Sequence, residues 1–225
     1  MLNSTHSIST IAKAFDTAGW ATVRAAEATV EVIKADLLSI VSSLGRILPG
    51  RNGLPVEVVM PETVESARPN SLSSRFGLAP LPLHSDTAHW SLPCRVLALA
   101  CVDPGPTPTP TLLLDSRATT LTKSERIACK SAVFAIRNGR SSFYGSIIES
   151  GRPFIRLDPG CMMPMSSDGE FALEAFGLER QANSLERHEW EVGTILVIDN
   201  WRYLHARGFD TSTDRGRVLL RAMAR

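Results

Sequence analysis

Apolar positions along the chain fall into distinct regimes. Between residues 8 and 44 they recur at three and four, in Ile11-Ala12-Lys13-Ala14-Phe15 and in Val30-Glu31-Val32-Ile33-Lys34-Ala35-Asp36-Leu37-Leu38, the spacing of an amphipathic helix. Gly19 is a candidate break dividing this stretch into two helices. Glycine and proline punctuate Gly45 to Pro55, which predicts loop. Residues 61–82 are rich in Ser, Pro, Asn and Arg without periodicity, and read as a mobile segment leading into a site. After Pro82 the pattern changes. Val96-Leu97-Ala98-Leu99-Ala100-Cys101-Val102 is a continuous apolar run of strand length, as expected of a strand covered on both faces. The proline-studded Asp103–Pro110 cannot be a central strand, and Thr111-Leu112-Leu113-Leu114 resumes one. Thr122 and Glu125 form a capping box at a helix start. Further strands are predicted at Ser142–Ile148, Phe154–Leu157, Thr194–Ile198 and Arg217–Met223, with a short helix around Phe171–Phe176.

Short strands separated by turns and preceded by helices predict an α+β fold, an antiparallel barrel or jelly roll with a helical face. A chain of 225 residues suits one domain, with residues 1–60 mainly helical and 80–225 as the β-rich core. The formal net charge of +1 gives no global pull toward nucleic acid or an anionic membrane. No apolar run reaches the length of a membrane-spanning helix, and the opening residues lack the charged and apolar regions of a secretory signal. Cys94, Cys101, Cys129 and Cys161 form no CxxC pair, so they are expected to be idle thiols in a reducing cytoplasm.

The chemistry concentrates in Leu83-His84-Ser85-Asp86-Thr87-Ala88-His89-Trp90. His84 and Asp86 stand two apart, so on a strand they would share a face and offer an imidazole and a carboxylate to one divalent metal. His205, shortly after the buried strand ending at Ile198, is a candidate third ligand. Two histidines and one carboxylate make the facial triad of non-haem iron(II) oxygenases. An HxD pair alone is weak evidence.

Four segments in order strengthen it: His84-Ser85-Asp86, Pro110-Thr111-Leu112-Leu113-Leu114-Asp115, Asp199-Asn200-Trp201-Arg202-Tyr203-Leu204-His205-Ala206-Arg207 and Arg217-Val218-Leu219-Leu220-Arg221. Over roughly residues 80–225 the chain resembles the taurine dioxygenase (TauD/TfdA) and clavaminate synthase-like group of iron(II)/2-oxoglutarate oxygenases. Thr111 follows His84 by 27 positions and Arg217 follows His205 by 12, spacings that fit the family. The resemblance implies a double-stranded β-helix, iron(II) on His84, Asp86 and His205, and 2-oxoglutarate and dioxygen as co-substrates. It places the distal carboxylate of 2-oxoglutarate on Arg217, with Thr111 beside it. Arg221 would support that carboxylate or meet an acidic group of the substrate.

Other residues keep two readings. His89 is a packing histidine or a substrate contact, Trp90 a core or pocket-wall residue, and Arg207 a structural ion-pair partner or a contact for an anionic substrate. Asp199 and Asn200 are expected to shape the turn before His205, and Asp115 to end its strand. The carboxylate at position 86 favours hydroxylation over halogenation, while desaturation or cyclisation uses the same ligands. The expected partner is a small molecule, such as an amino acid, a peptide-like compound or a natural-product intermediate. The competing readings are a catalytically idle binding module, a cupin-like metalloenzyme, which has no need of a carboxylate anchor at Thr111 and Arg217, and a modifier of protein or nucleic acid, of which the near-neutral charge disfavours nucleic acid. The 119 positions between Asp86 and His205 are few for this family, so residues 61–82 or a partner subunit are expected to close the pocket.

Overall fold

A computed structural model describes residues 4–69, 71–208 and 216–225. Its elements in order are α1 (Ser4–Ala18), β1 (Trp20–Arg24), α2 (Val30–Leu44), β2 (Ile47–Leu48), β3 (Glu57–Val59), α3 (Ser73–Phe76), β4 (Val96–Asp103), β5 (Thr111–Asp115), α4 (Lys123–Ser131), β6 (Phe134–Asn138), β7 (Ser141–Gly145), β8 (Met162–Pro164), α5 (Ser167–Glu174), β9 (Leu185–His188), β10 (Thr194–Asp199), β11 (Tyr203–Arg207) and β12 (Val218–Ala224). All strand pairings are antiparallel.

The largest sheet runs β1-β10-β4-β12-β2, with β3 also paired to β12; β11-β5-β9 and β7-β6-β8 form two smaller sheets. Alternation along the strands divides the large sheet into two faces. Ala98, Ala100, Val197, Leu220 and Ala222 pack against Ile11 and Phe15 of α1 and Ile33, Leu37 and Ile40 of α2. The opposite face offers Leu97, Leu99, Cys101, Leu196, Ile198, Leu219 and Met223, which meet Leu113 and Tyr203 of the β11-β5-β9 sheet. The next residue of β5 on either side points away: Leu112 and Leu114 join Leu204 and Ala206 in a third cluster with α4, α5 and β6. The odd-numbered side chains of β5, β11 and β12 therefore face one another between two sheets, which is where the candidate ligands lie.

Four expectations change, the first at Gly45–Pro55, where Ile47–Leu48 forms the short strand β2 against β12 within the expected loop. The helix expected across residues 8–44 is interrupted by the strand β1 as well as by Gly19. Gly19 adopts φ +88°, and a Cβ there would fall 2.6 Å from the Tyr203 ring, so the chain turns at the one residue that tolerates both demands. The β-branched Thr22 and Val23 then complete a five-residue ladder with β10. The strand expected to run to Ile148 stops at Gly145, and Phe154–Leu157 keeps only a single bridge, Ile148 to Ile155. The irregular region at 61–82 contains the short α3, and its far end is tied down by Arg207, whose guanidinium donates to the carbonyls of Gly77 and Ala79. The Thr122–Glu125 capping box, β4, β5 and β10 match expectation within a residue at each end. The four cysteines are free. Burial pushes the Cys94 thiol up to about 12 and those of Cys101 and Cys129 up to about 11, as expected of inert thiols.

Leu37 is fully buried between α2 and the large sheet. Leu37→Ala is expected to lower the unfolding free energy by about 2–5 kcal/mol. Urea denaturation measures this, and metal affinity of the folded variant should stay unchanged because the helical layer lies on the face of the sheet away from the ligands.

Candidate metal centre

His205 sits in the middle of β11, and His84 is joined to it by an isolated antiparallel bridge. Each backbone N–H donates to the other residue's carbonyl at 2.9 Å. This direct pairing puts both side chains on one side, with ring centroids 4.1 Å apart. Asp86 is not on a strand with His84, contrary to the sequence expectation: the chain enters a turn there. Its Oδ1 nevertheless lies 4.0 Å from Nε2 of each histidine. Ligand atoms of the three residues all fall within 4.8 Å of one another.

The ring of His84 is oriented by its Nδ1–H, which donates to the Pro82 carbonyl at 2.9 Å and turns Nε2 toward Asp86. Nδ1 of His205 has no hydrogen-bond partner among the described residues. Burial alone would raise the pKa of Asp86, but Arg221 beside it, with His205 and His84, holds it well below the usual carboxylate range. Burial, with the neighbouring charge of His84, pushes His205 down to about 3. At neutral pH the centre is therefore one carboxylate and a neutral His205 beside His84, the donor set that suits a divalent transition metal. The residues present fit iron(II) in a two-histidine, one-carboxylate arrangement.

Asp86 divides its oxygens. Oδ1 faces the histidines, while Oδ2 accepts from Arg221 Nη1 at 3.0 Å. Arg221 is in turn gripped by Glu57 on β3, whose Oε2 accepts from Nε at 3.2 Å and Nη2 at 2.6 Å. The other oxygen of Glu57 accepts from the Arg51 backbone N–H at 2.7 Å. Gly50 allows this, since a Cβ there would lie 2.4 Å from Glu57 Cγ.

The turn carrying Asp86 is clamped from two sides. Asn200 Oδ1 accepts from the Asp86 N–H at 2.8 Å, and its Nδ2 donates to the carbonyls of Asp86 at 3.0 Å and Cys94 at 2.8 Å. The fully buried Arg156 donates to the carbonyls of Ala88, Trp90 and Ser91 and pairs with Glu149. Between these clamps Thr87 adopts φ +56°, costly for a β-branched residue, while its Oγ1 accepts from the Cys94 N–H at 2.8 Å.

The remaining expected residues, and Arg95 near them in the chain, fall as follows. Thr111 opens β5 on the interior face, and its Oγ1 accepts from the Trp190 indole at 3.1 Å. Arg217 lies just before β12, buried, donating to the Thr109 carbonyl at 2.8 Å. Arg221 turns instead to Asp86 and Glu57. His89 and Trp90 are half-buried just past Asp86, their rings edge to face. Arg207 donates to the carbonyls of Gly77 and Ala79. Arg95 pairs with Asp16 and Asp199 and lies over the Phe15 ring. Asp115 ends β5 and forms a forked ion pair with Arg202. Sequence reasoning missed Glu57, Arg51, Arg156 and Trp190, and assigned Asn200 only to its own turn. Glu57, Arg51, Arg156 and Trp190 lie in none of the four segments that carried the resemblance.

Residues 137–223 match the family model described as Taurine catabolism dioxygenase TauD, TfdA family. That span includes His205, Arg217 and Arg221 and excludes His84, Asp86 and Thr111. No curated protein matches the sequence. Among solved structures, an asparagine oxygenase in complex with Fe(II), 2S,3S-3-hydroxyasparagine and succinate matches with a TM-score of 0.73 at 17% identity, over 97% of this chain and 78% of that one. The non-haem iron oxygenase OrfP in complex with Fe, succinate and (3S)-hydroxy-L-Arg matches at 0.71 and 18% identity, over 98% and 79%. The PvcB protein from Pseudomonas aeruginosa matches at 0.68 and 18%, over 96% and 79%. The fold is thus that of non-haem iron oxygenases, and the family resemblance read from the sequence is borne out.

Two predictions follow from this geometry. Removing the Asn200 amide frees the Asp86 turn, so Asn200→Ala is expected to weaken iron(II) binding about 10- to 100-fold, read by anaerobic competition with a chromophoric chelator. The second concerns pH. Between pH 6.5 and about 3 the unfolded chain protonates His205 while the folded, metal-free protein does not. The unfolded state binds more protons, so stability rises with pH across this window and is lost on acidification. Below the usual carboxylate range Asp86 acts in the same direction. Urea midpoints of the metal-free protein should fall from pH 7 to pH 4, and the slope should flatten in His205→Gln.

Proposed function

We propose that this chain is an iron(II)- and 2-oxoglutarate-dependent oxygenase that hydroxylates an unactivated C–H bond of a small molecule, releasing succinate and carbon dioxide. The observation that carries the reading is the buried convergence of His84, Asp86 and His205 within 4.8 Å between two sheets of a non-haem oxygenase fold. An idle binding module has no use for an ionised carboxylate aimed at a pair of histidines, so it is the weaker reading. Desaturation or cyclisation would use the same ligands. The whole chain, 1–225, is one domain: the mainly helical residues 1–60 pack on the large sheet, and residues 80–225 form a double-stranded β-helix core. The common hydrophobic cluster of α1, α2, β4, β10 and β12 supports this.

When bound, iron and the keto acid supply the oxidising chemistry. The protein's part is binding, orientation and exclusion of water. His84, Asp86 and His205 hold the metal. Arg217 pairs with the distal carboxylate of 2-oxoglutarate, and Thr111 donates to it from the facing sheet. Arg221 and Glu57 form the substrate end of the site. Both are largely buried and each neutralises the other. A ligand bringing only one charge would leave one of them uncompensated, whereas a zwitterionic amino-acid head exchanges with both at once. The hydroxyasparagine and hydroxy-arginine in the neighbouring structures support an amino-acid-like substrate. Arg51 stands at the rim of this network, and His89 and Trp90 line the approach. No nucleic-acid partner is expected, no helix of the described residues is long and apolar enough to cross a membrane, and a cytoplasmic setting agrees with the free thiols.

The deciding test is anaerobic addition of iron(II) and then 2-oxoglutarate to the metal-free protein. A weak visible charge-transfer band is expected in wild type. It should vanish in His205→Ala, and Arg217→Ala should raise the 2-oxoglutarate concentration needed at least tenfold. Asp86→Ala should abolish hydroxylation; wild-type turnover in that variant would remove Asp86 from the ligand set.

A further inference from the structure

Trp190 belongs to no motif, yet it reaches the cofactor end of the site. It lies two residues beyond β9, which pairs with β5 so that His188 stands directly opposite Thr111. Its side chain is 2% exposed, packed among Leu97, Cys101 and Leu113 with the His188 ring edge-on at 4.4 Å. From that position the indole N–H donates to Thr111 Oγ1 at 3.1 Å, and Thr111 is itself buried.

The two groups are not equivalent. An indole N–H can only donate, whereas a hydroxyl has one proton and two acceptor positions. Contact with Trp190 therefore fills an acceptor position of Thr111 and forbids its proton from turning toward the indole. Among the described residues the Thr111 hydroxyl donates to nothing. Its proton is left for an acceptor arriving from elsewhere in the interior. A carboxylate takes that proton, whereas an ammonium or amide N–H could use only the one acceptor position Trp190 leaves open.

We propose that Trp190 is a positioning residue that fixes Thr111 as a hydrogen-bond donor and so tunes the site for the distal carboxylate of 2-oxoglutarate. This rests on the reading of Thr111 and Arg217 as the anchor of that carboxylate. Donation from the indole also polarises the hydroxyl, strengthening the bond it makes in turn.

The test reads 2-oxoglutarate affinity, not turnover. Iron(II)-loaded protein is titrated anaerobically with 2-oxoglutarate, following the visible band, in wild type, Trp190→Phe, Thr111→Val and the double variant. Phenylalanine keeps an aromatic ring in the core and removes the donor. Trp190→Phe is expected to weaken 2-oxoglutarate about five- to tenfold with iron(II) affinity unchanged, and Thr111→Val at least as much. The double variant should be no weaker than Thr111→Val, because the tryptophan acts through the hydroxyl. Wild-type affinity in Trp190→Phe beside a weakened Thr111→Val, or losses that multiply in the double variant, would overturn the proposal while leaving the oxygenase reading intact. No band in wild type would overturn both. Should Trp190→Phe fail to fold, the indole N–H resonance of zinc-loaded wild type, assigned by its displacement in Thr111→Val, serves instead. A downfield shift on adding 2-oxoglutarate supports the proposal, and an unmoved resonance overturns it.

Discussion

The site depends on the reciprocal pair of backbone hydrogen bonds between His84 and His205. Their positions are far apart in the chain, and one of them lies outside any strand. The bridge fixes the distance between the two imidazoles through main-chain geometry, which side-chain rotation cannot relax. It also explains the approach path: His205 is set by its ladder with β5, and the segment from Pro82 is docked onto the free edge of β11. Docking that irregular segment brings Asp86 under the histidines and Pro82 into position to orient the His84 ring.

Electrostatics then decides which states of these residues coexist. Burial alone would favour the protonated acid at Asp86. Arg221 reverses that preference for Asp86, and burial keeps His205 neutral, so the pair is pushed in the two directions that metal binding requires. Arg221 is itself a buried cation, and one carboxylate that must also face a metal is a poor sole partner for it. Glu57 supplies the second negative charge. The arrangement keeps Oδ1 of Asp86 directed at the histidines while Oδ2 remains engaged.

Much of this was legible in the sequence, for identifiable reasons. The candidate ligands lie in short motifs whose chemistry is local: an HxD triplet and a histidine after a turn of Asp199 and Asn200. Uninterrupted apolar runs marked β4 and β10, because strands covered on both faces carry no polar alternation. What could not be read depends on contacts between distant segments. Glu57 and Arg156 are ordinary charged residues until β3 lands beside β12 and the 154–157 segment beside Ser85. The roles of Arg217 and Arg221 looked alike because their spacing placed them on one strand face, yet Arg217 precedes β12 and a register shift follows at Val218. Arg207, weighed as a contact for an anionic substrate, donates to two carbonyls of the segment that leads into His84. The strand at Trp20–Arg24 was absorbed into a helical pattern because five residues cannot establish a period of two against flanking helices.

The asymmetry between the ligands is itself informative. His205 needs no special support, since β11 is a regular strand. Asp86 lies in a turn that has no ladder to hold it, and there the fold concentrates its buried polar side chains: the Asn200 amide on one flank, the Arg156 guanidinium on the other, and Thr87 in a left-handed conformation between them. A β-branched residue at that φ costs on the order of 1–3 kcal/mol and persists only where surrounding bonds over-determine it. The bonds from Asn200 and Arg156, together with the Cys94 N–H on Thr87, meet that condition. Stability is thus given up locally to hold a carboxylate at a position regular structure would not provide, as expected where the geometry of one oxygen atom matters more than the comfort of the backbone carrying it.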